Sequence, residues 1–277
     1  MSRSRLVAVA TTVLGIVVTT LVVLFAGVFS AAGPAGADTG LVGDTTQASA
    51  ANPGATVGAL FPDGLANGHS CSASVVASPG HDLILTAAHC LSGSVAHWTF
   101  VPDYSDGQTP YGTWTVAHAY LPAQWVSDQS PQYDYAILQL APQTRDGRTV
   151  NVQDLVGGNV LGLAPENGQT ITDIAYNAGV DDEPVTCTTT VYSTDGYPSF
   201  NCAGYVSGSS GSPWLTTVPG TDQDVVRGVI GGLHQGGCYS STSYSSTFQS
   251  DVYKLLVRAT FGLHPDDDAP SPGPDGC

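Results

Sequence analysis

A serine between glycines, a histidine before a cysteine and an aspartate before an apolar run are the residues of this sequence that could do chemistry together. Residues 208–213 read GSSGSP, with Ser210 at the third position. A serine hydroxyl is a poor nucleophile at neutral pH, and it needs a neighbouring base and donors for the oxyanion that it creates. Gly208 lets the backbone turn sharply, so the amides of Gly208 and Ser210 could form an oxyanion hole. Without other residues, the stretch is more typical of a flexible surface loop.

His89 and Asp134 could supply the base and the group that orients it. His89 follows the apolar run 83–86 and precedes a cysteine, and Asp134 opens the apolar run 135–138. Singly, His89 could be a buried histidine beside a disulfide, and Asp134 a charge at the edge of a strand. The three residues occur in the order His, Asp, Ser, which distinguishes the chymotrypsin arrangement from subtilisin and the α/β-hydrolases. Order and context together therefore favour a catalytic triad.

The sequence resembles the secreted, chymotrypsin-like (trypsin-fold) serine peptidases over roughly residues 55–261. Residues 86–90 read TAAHC, the histidine motif of the family, and residues 134–138 read DYAIL, similar to its aspartate motif. Ser212 stands where animal members carry a glycine, which is closer to the bacterial glutamyl-endopeptidase branch. The resemblance implies that Ser210 is the nucleophile, that His89 accepts its proton and that Asp134 orients the imidazole.

Activation of the enzyme is expected to differ from that of the animal members. Ser209 stands where they carry an aspartate that pairs with a new N-terminal ammonium. No Lys or Arg occurs between Arg5 and Arg145, so no tryptic activation site precedes the predicted domain. We therefore expect the oxyanion hole to form without that ion pair.

Two stretches bear on substrate preference. Residues 201–207 contain no acidic residue, so a trypsin-like preference for Arg or Lys is not expected, since the buried cation would lack a counter-charge. Residues 231–237 resemble the pocket strand of glutamyl endopeptidases, where a histidine helps to receive an acidic side chain. His234, with Ser207, is the candidate for that role here. Gln235 replaces the aromatic residue of that strand, and the alternative is that His234 only packs against the sheet.

Six cysteines indicate disulfides and an oxidising compartment. The resemblance implies a Cys71–Cys90 pair, because both residues flank the histidine-bearing strand. Cys187 and Cys202 bracket a predicted hairpin and form a second candidate pair. Cys238 and Cys277 either join and pin the tail near the pocket or leave Cys277 free. No Cys-x-x-Cys pair occurs and the histidines are scattered, so disulfides are favoured over zinc and no metal site is predicted.

The charge balance restricts the class of partner. Seven Lys and Arg against 23 Asp and Glu give a formal charge of −16. Nucleic-acid binding requires a basic surface, so nucleic acid is excluded as a partner. The resemblance implies a protein or peptide substrate; we expect a monomer and no cofactor.

The N-terminus predicts export. Residues 1–37 combine a basic start, an apolar run over 6–29 and a small-residue site at 35–37, as in a signal peptide. The apolar run is long enough to cross a bilayer, so a retained signal anchor is the alternative. Residues 38–54 are predicted to be a flexible arm or short propeptide. We expect a secreted, extracellular protein, with membrane association only if the apolar run is retained.

Short β-branched runs and the absence of long helical periodicity predict an all-β protein. With the resemblance, we expect two six-stranded antiparallel Greek-key barrels, with His89 and Asp134 in 55–143 and Ser210 in 144–250. The active site is then expected in the cleft between them. The runs that predict strands are 55–61, 69–77, 83–87, 96–101, 112–120, 135–140, 168–176, 185–192, 212–217, 225–234 and 243–248.

The last part of the chain is predicted to contain a helix and a tail. Over 251–262, Val252, Leu255, Leu256 and Ala259 fall on one helical face. Residues 263–277 are rich in Asp, Pro and Gly and are predicted to be disordered. The leading hypothesis is thus a secreted serine endopeptidase; the alternatives are an inactive binding module of the same fold and a membrane-anchored surface peptidase.

Overall fold

The computed structural model describes residues 46–51, 54–179 and 183–277. The predicted leader over 1–37, with its small-residue site, lies outside the described residues. Within the described ranges, no helix is both long enough and apolar enough to span a bilayer.

The first half of the described chain is built from short strands, as the β-branched runs predict. Its strands are β1 (Ser49–Ala50), β2 (Val57–Phe61), β3 (Cys71–Val76), β4 (Leu83–Thr86), β5 (Gly93–Ser94), β6 (Thr99–Pro102), β7 (Trp114–Tyr120), β8 (Ala136–Leu140), β9 (Gln143–Arg145) and β10 (Arg148–Val150).

Helices in this half are short. They comprise α1 (Ala123–Asp128), α2 (Val152–Val156) and 3-10 turns at Leu65–Asn67, Ala88–Cys90, Val95–His97 and Pro131–Tyr133.

Six of these strands close into an antiparallel barrel in the order β2-β3-β4-β8-β7-β6. Because β6 pairs with β2, the first four barrel strands lie in the order of a Greek key. Successive residues of β8 point to opposite faces: Ala136 and Leu138 belong to one buried cluster and Ile137 to another. Both faces of the barrel wall are therefore buried. The predicted six-stranded first barrel is confirmed.

The second half contains β11 (Val160–Leu161), β12 (Thr170–Ala175), β13 (Val185–Thr190), β14 (Tyr192–Thr194), β15 (Tyr197–Asn201), β16 (Pro213–Thr217), β17 (Asp224–Val229), β18 (Thr242–Tyr244) and β19 (Asp268–Ala269), with a 3-10 turn at Leu233–Gly236 and helix α3 at Ser250–Thr260. A six-stranded sheet has the order β1-β13-β12-β16-β17-β11, and a three-stranded sheet has the order β14-β15-β18. Among the described strands, hydrogen bonding leaves this half as two sheets, because β18 pairs with β15 and β11 occupies the other edge of β17.

Helix α3 packs on the barrel with the face that its sequence pattern predicts. Val252, Leu255 and Ala259 are buried, in a cluster that also holds Tyr135 and Ile137 from the barrel wall. The predicted terminal helix is confirmed, and it covers apolar surface of the first barrel.

Two segments that were expected to be flexible have defined positions. The prediction of a flexible arm over 38–54 is wrong for its described part, 46–51, because β1 pairs with β13 and the Ala48 amide donates to the Ala203 carbonyl at 2.7 Å. The prediction of a disordered tail over 263–277 is also wrong. Strand β19 of this tail pairs with β5, and the Asp267 carboxylate accepts from the Ala119 amide at 3.0 Å.

The two predicted disulfides, Cys71–Cys90 and Cys187–Cys202, are present, and a third joins Cys238 to Cys277. The open alternative for Cys277 is thereby decided, because this residue joins Cys238. The third bond ties the end of the tail to the segment that follows His234.

Candidate active site

His89 lies where the first barrel meets the second half of the chain. Strand β4 ends at Thr86, and the 3-10 turn Ala88–Cys90 then carries His89. The disulfide from Cys90 to Cys71 ties this turn to β3, and the Thr86 hydroxyl donates to the Ser72 carbonyl at 2.8 Å. The imidazole is therefore mounted on a turn that is held covalently on one side and by a buried hydrogen bond on the other.

Asp134 lies directly before β8 and is fully buried. Its carboxylate accepts from the His89 ring at Nδ1 (2.7 Å) and from the His89 amide (2.8 Å). The Gly232 amide, from the other half of the chain, donates to the same carboxylate at 2.8 Å. Since a carboxylate only accepts hydrogen bonds, Nδ1 of His89 is the donor in this pair. Nε2 is then the ring nitrogen left to exchange a proton with another group.

The nucleophile loop, residues 206–212, is a compact turn that closes on itself. The amide and the hydroxyl of Ser209 both donate to the Val206 carbonyl, at 3.1 and 2.8 Å. Gly208 has φ +96°, and a Cβ there would lie 2.3 Å from the Ala178 nitrogen. Only glycine fits this position, both because of its backbone angle and because of the neighbouring backbone. Ser209 thus ties the loop to itself through the Val206 carbonyl.

The amides of Gly208 and Ser210 have no hydrogen-bond acceptor among the described residues. The carbonyls of these two residues are instead engaged by Ser72, whose amide donates to the Ser210 carbonyl at 2.7 Å and whose hydroxyl donates to the Gly208 carbonyl at 3.0 Å. Strand β3 thus holds the loop by two of its carbonyls, while the two amides, which have no acceptor among the described residues, remain available to an external oxyanion, as an oxyanion hole requires. Sequence reasoning did not identify Ser72, a small buried residue with no motif of its own.

Five of the predicted catalytic, oxyanion-hole and substrate-binding residues line one cleft of about 480 Å³: His89, Ser207, Gly208, Ser210 and His234. Within the described residues, no hydrogen bond of 3.5 Å or less joins the Ser210 hydroxyl to His89. Catalytic hydrogen bonds in ligand-free enzymes are often long and shorten only in the substrate complex. The structure therefore brings together the groups that a serine hydrolase needs, with the imidazole already oriented by Asp134.

A second buried carboxyl group, Asp173, supports the nucleophile loop from inside the second half. It lies on β12, is fully buried, and accepts from the Ser212 hydroxyl at 2.9 and 3.0 Å through its two oxygens. Burial raises the pKa of Asp173 to about 8, against a smaller lowering by the Ser212 hydrogen bond. The sequence signal that could have identified it is an acidic residue in the otherwise apolar and β-branched run 168–176.

His234 is held at the edge of the cleft by the tail. Its backbone has φ +52°, and its Nδ1 lies 3.1 Å from the Asp275 carbonyl oxygen. Asp275 also lines the cleft. The cleft therefore contains an acidic residue, although residues 201–207 contain none. In the described part of the chain, the one cluster of possible metal ligands is His234 with Cys238 and Cys277. The two sulfurs are bonded to each other, so the cluster offers no thiolate to a metal.

Comparisons with known proteins agree with this geometry. A family model described as a trypsin-like peptidase domain matches residues 71–220, more than half of the chain. No curated protein sequence matches the chain.

Solved structures with the same fold include several peptidases. The protease Anisep from Arthrobacter nicotinovorans is 25% identical, with a TM-score of 0.63 over 77% of this chain and 99% of that chain. The thermostable serine protease AL20 from an extremophilic microorganism is 22% identical, with a TM-score of 0.62 over 75% and 98%. A Glu endopeptidase is 16% identical, with a TM-score of 0.57 over 78% and 97%.

Proposed function

Since the chain belongs to the trypsin-like peptidase family, we propose that it is a secreted serine endopeptidase in which Ser210, His89 and Asp134 form the triad. The observation that carries the proposal is the pair of His89 and the fully buried Asp134, joined at 2.7 Å at the cleft that Ser210 also lines. In this pair the imidazole is already oriented as a general base must be.

The reaction proceeds through an acyl-enzyme. Nε2 of His89 takes the proton of the Ser210 hydroxyl while Oγ attacks the peptide carbonyl carbon, and the amides of Gly208 and Ser210 donate to the resulting oxyanion. His89 then gives the proton to the leaving amine, and the C–N bond breaks. A water molecule, deprotonated by the same imidazole, releases the acyl group and restores the Ser210 hydroxyl. Asp134 stabilises the imidazolium that forms at each step.

Replacing the nucleophile or the base tests this proposal directly. Ser210→Ala and His89→Ala should each lower kcat for peptide hydrolysis by about 10⁶-fold, because the groups of the triad act as a unit. The measurement is hydrolysis of an unstructured protein substrate, together with labelling by an irreversible serine-directed phosphonate. Ser193, an exposed residue on β14, provides the matched control as Ser193→Ala, which should hydrolyse and label like the parent.

The labelling result separates the enzyme from the alternative of a binding module. If the parent forms no adduct that depends on Ser210, the fold serves binding and the proposed activity is wrong. Equal hydrolysis by the parent and the Ser210→Ala variant would contradict the assignment of the nucleophile in the same way.

The candidate preference is for glutamate before the cleaved bond. His234 and Ser207 line the cleft beside Ser210, no Lys or Arg does so among the described residues, and one protein of this fold is a Glu endopeptidase. Cleavage of a peptide library, with the residue before each cut identified by mass spectrometry, tests the preference. Cuts that follow Arg or Lys, or that show no dependence on His234, would contradict it.

A further inference from the structure

The tail crosses from the first barrel to the substrate cleft along a fixed path. Two carboxylates attach it to the end of β7: Asp266 accepts from the Leu121 amide at 2.8 Å, and Asp267 accepts from the Ala119 amide at 3.0 Å. Strand β19 then pairs with β5. The remaining residues, 271–277, form what we call the tail segment.

Side chains next to the cleft hold the tail segment by its backbone. Gln129, at the end of α1, donates to the Ser271 carbonyl at 2.6 Å. Gln235, adjacent to His234, donates to the Gly273 carbonyl at 2.7 Å. The disulfide to Cys238 then fixes the last residue of the segment. Because these contacts use backbone carbonyls, the path of the segment is set by its main chain.

The tail segment contacts His234 at two points. The Asp275 carbonyl accepts from Nδ1 at 3.1 Å. A Cβ at Gly276 would lie 3.2 Å from the same nitrogen, and Gly276 has φ +81°. The backbone of the segment is therefore packed directly against the imidazole. Because a carbonyl oxygen only accepts, Nδ1 is the donor in this contact. Nε2 is then the ring nitrogen left to a substrate, and it donates to a substrate carboxylate when it also carries a proton.

We infer that the tail segment is a wall of the specificity pocket and that Asp275 is a positioning residue, whose backbone carbonyl and not its carboxylate holds His234 in place. This inference rests on the proposed peptidase function. Of the described residues that line the cleft, Asp275 is the one acidic residue. Its carboxylate accepts from the Cys277 amide at 2.9 Å, so it bends back towards its own chain. The selectivity of the pocket thus depends on a segment whose Asp275 lies 65 residues after Ser210 in the sequence.

The disulfide is what keeps this wall in place. The hydrogen bonds of the tail segment are exposed to solvent, and each such bond adds little net stability. The Cys238–Cys277 bond closes a loop with a sequence separation of 39, which removes most of the conformational freedom that would let the segment leave. Removing the bond should therefore release His234 without unfolding the barrel.

The test compares the parent with the double variant Cys238→Ser/Cys277→Ser. The substrates are peptides that differ only in the residue before the cleaved bond, with Glu, Gln, Ala or Phe at that position. The ratio of kcat/KM between the preferred and the other peptides should change by about tenfold or more, the size of effect that pocket contacts produce. Labelling of Ser210 by a small phosphonate, which does not use the pocket, should change by less than about twofold. A lesion of the fold would instead lower all of these values together.

A second measurement reads His234 without catalysis. The ¹⁵N NMR signals of its imidazole report which ring nitrogen carries the proton, and the signature of a protonated Nδ1 should be present in the parent and lost in the double variant. Asp275→Asn is the matched control, because it keeps the backbone carbonyl and should keep that signature. Identical His234 signals in the parent and the double variant, or unchanged ratios of kcat/KM, would overturn the inference. Failure of the parent to label at Ser210 would contradict the proposed function, and the NMR comparison would still decide the role of the tail.

Discussion

Among the described residues, two carboxyl groups are fully buried, those of Asp134 and Asp173, and they have different hydrogen-bond partners. Asp134, from the first barrel, accepts hydrogen bonds from two N–H groups of His89 and from the Gly232 amide. Asp173, from the second half, accepts from a hydroxyl, that of Ser212. Both side chains are fully buried.

Burial alone does not decide the role of a carboxyl group, because these two groups are equally buried and differ in their hydrogen-bond partners. Removing a carboxyl group from water disfavours its charged form, and hydrogen bonds from N–H groups oppose that effect. At Asp173 burial prevails and raises the pKa to about 8, so the group is largely neutral near pH 7. A neutral carboxyl can both donate to and accept from the Ser212 hydroxyl, which suits a structural support. Asp134 instead directs its oxygens at the ring that becomes an imidazolium in the proposed mechanism, which is the role proposed for it there.

The largest difference between the two groups should appear when each is changed to asparagine. Asp134→Asn should lower kcat by about 10⁴-fold, because an amide no longer selects the tautomer in which Nδ1 of His89 is protonated. Steady-state hydrolysis of a peptide substrate measures this loss, and circular dichroism checks that the fold persists. Asp173→Asn, assayed in parallel, should retain activity within about tenfold, because Ser212 keeps a hydrogen-bonding partner. Equal losses in the two variants would contradict the division of roles.

The pH dependence of stability should distinguish the two sites next. Burial raises the pKa of Asp173 to about 8 in the folded chain, from an ordinary value of 3.8. Between these values folding takes up a proton, so the contribution of Asp173 to stability is fully present below about pH 4 and is lost as the pH rises towards about 8. Asp173→Asn removes this slope. The difference in Tm between about pH 5 and about pH 8 should therefore shrink in the variant.

Asp154 provides the control for this measurement. Hydrogen bonds from His81 and the Asn151 amide lower the pKa of this exposed carboxylate, so its contribution is present above the unfolded pKa and is lost as the pH falls. Asp154→Asn should leave the change in Tm between pH 5 and pH 8 as it is in the parent. An unaltered change in the Asp173→Asn variant would mean that Asp173 is not the group that takes up the proton.

Much of the fold could be predicted from the sequence because its signals are local. An alternating run such as 114–120 and an apolar run such as 135–140 both predict strands, and turn residues separate them. The tail escaped prediction for a different reason. Its Asp, Pro and Gly composition is typical of disorder, whereas its order comes from contacts with residues far away in sequence, such as Leu121 and Gln235. No local pattern reports such contacts.

In the candidate site, too, the residues with local sequence signals could be predicted, and those that depend on long-range contacts could not. His89, Asp134 and Ser210 lie in short motifs with the letters and order of a known family, so sequence reasoning named all three as candidates. Ser72 and Asp173 act through a backbone carbonyl and a buried hydroxyl, and any sequence contains many serines and aspartates. Only the pairing of β12 with β16, which sets Asp173 opposite Trp214, brings the carboxyl group within reach of Ser212.

The smallest effect is expected for Ser212→Ala, which removes the hydroxyl partner of Asp173 but keeps the backbone of the nucleophile loop. The Ser212 hydrogen bond lowers the pKa of Asp173, so its loss should raise that pKa further and leave a neutral, buried carboxyl group without its donor. Such a group costs about 1–3 kcal/mol of unfolding free energy, measurable by urea denaturation at about pH 7, whereas the exposed Ser193→Ala should change it by less than about 0.5 kcal/mol. Activity should remain within about tenfold of the parent, because Ser212 donates no group to the reacting atoms. A stability equal to that of the parent would mean that Asp173 finds another donor. A loss of activity as large as that of Asp134→Asn would mean that Asp173 and Ser212 belong to the catalytic machinery, which would contradict the different roles assigned to the two carboxyl groups.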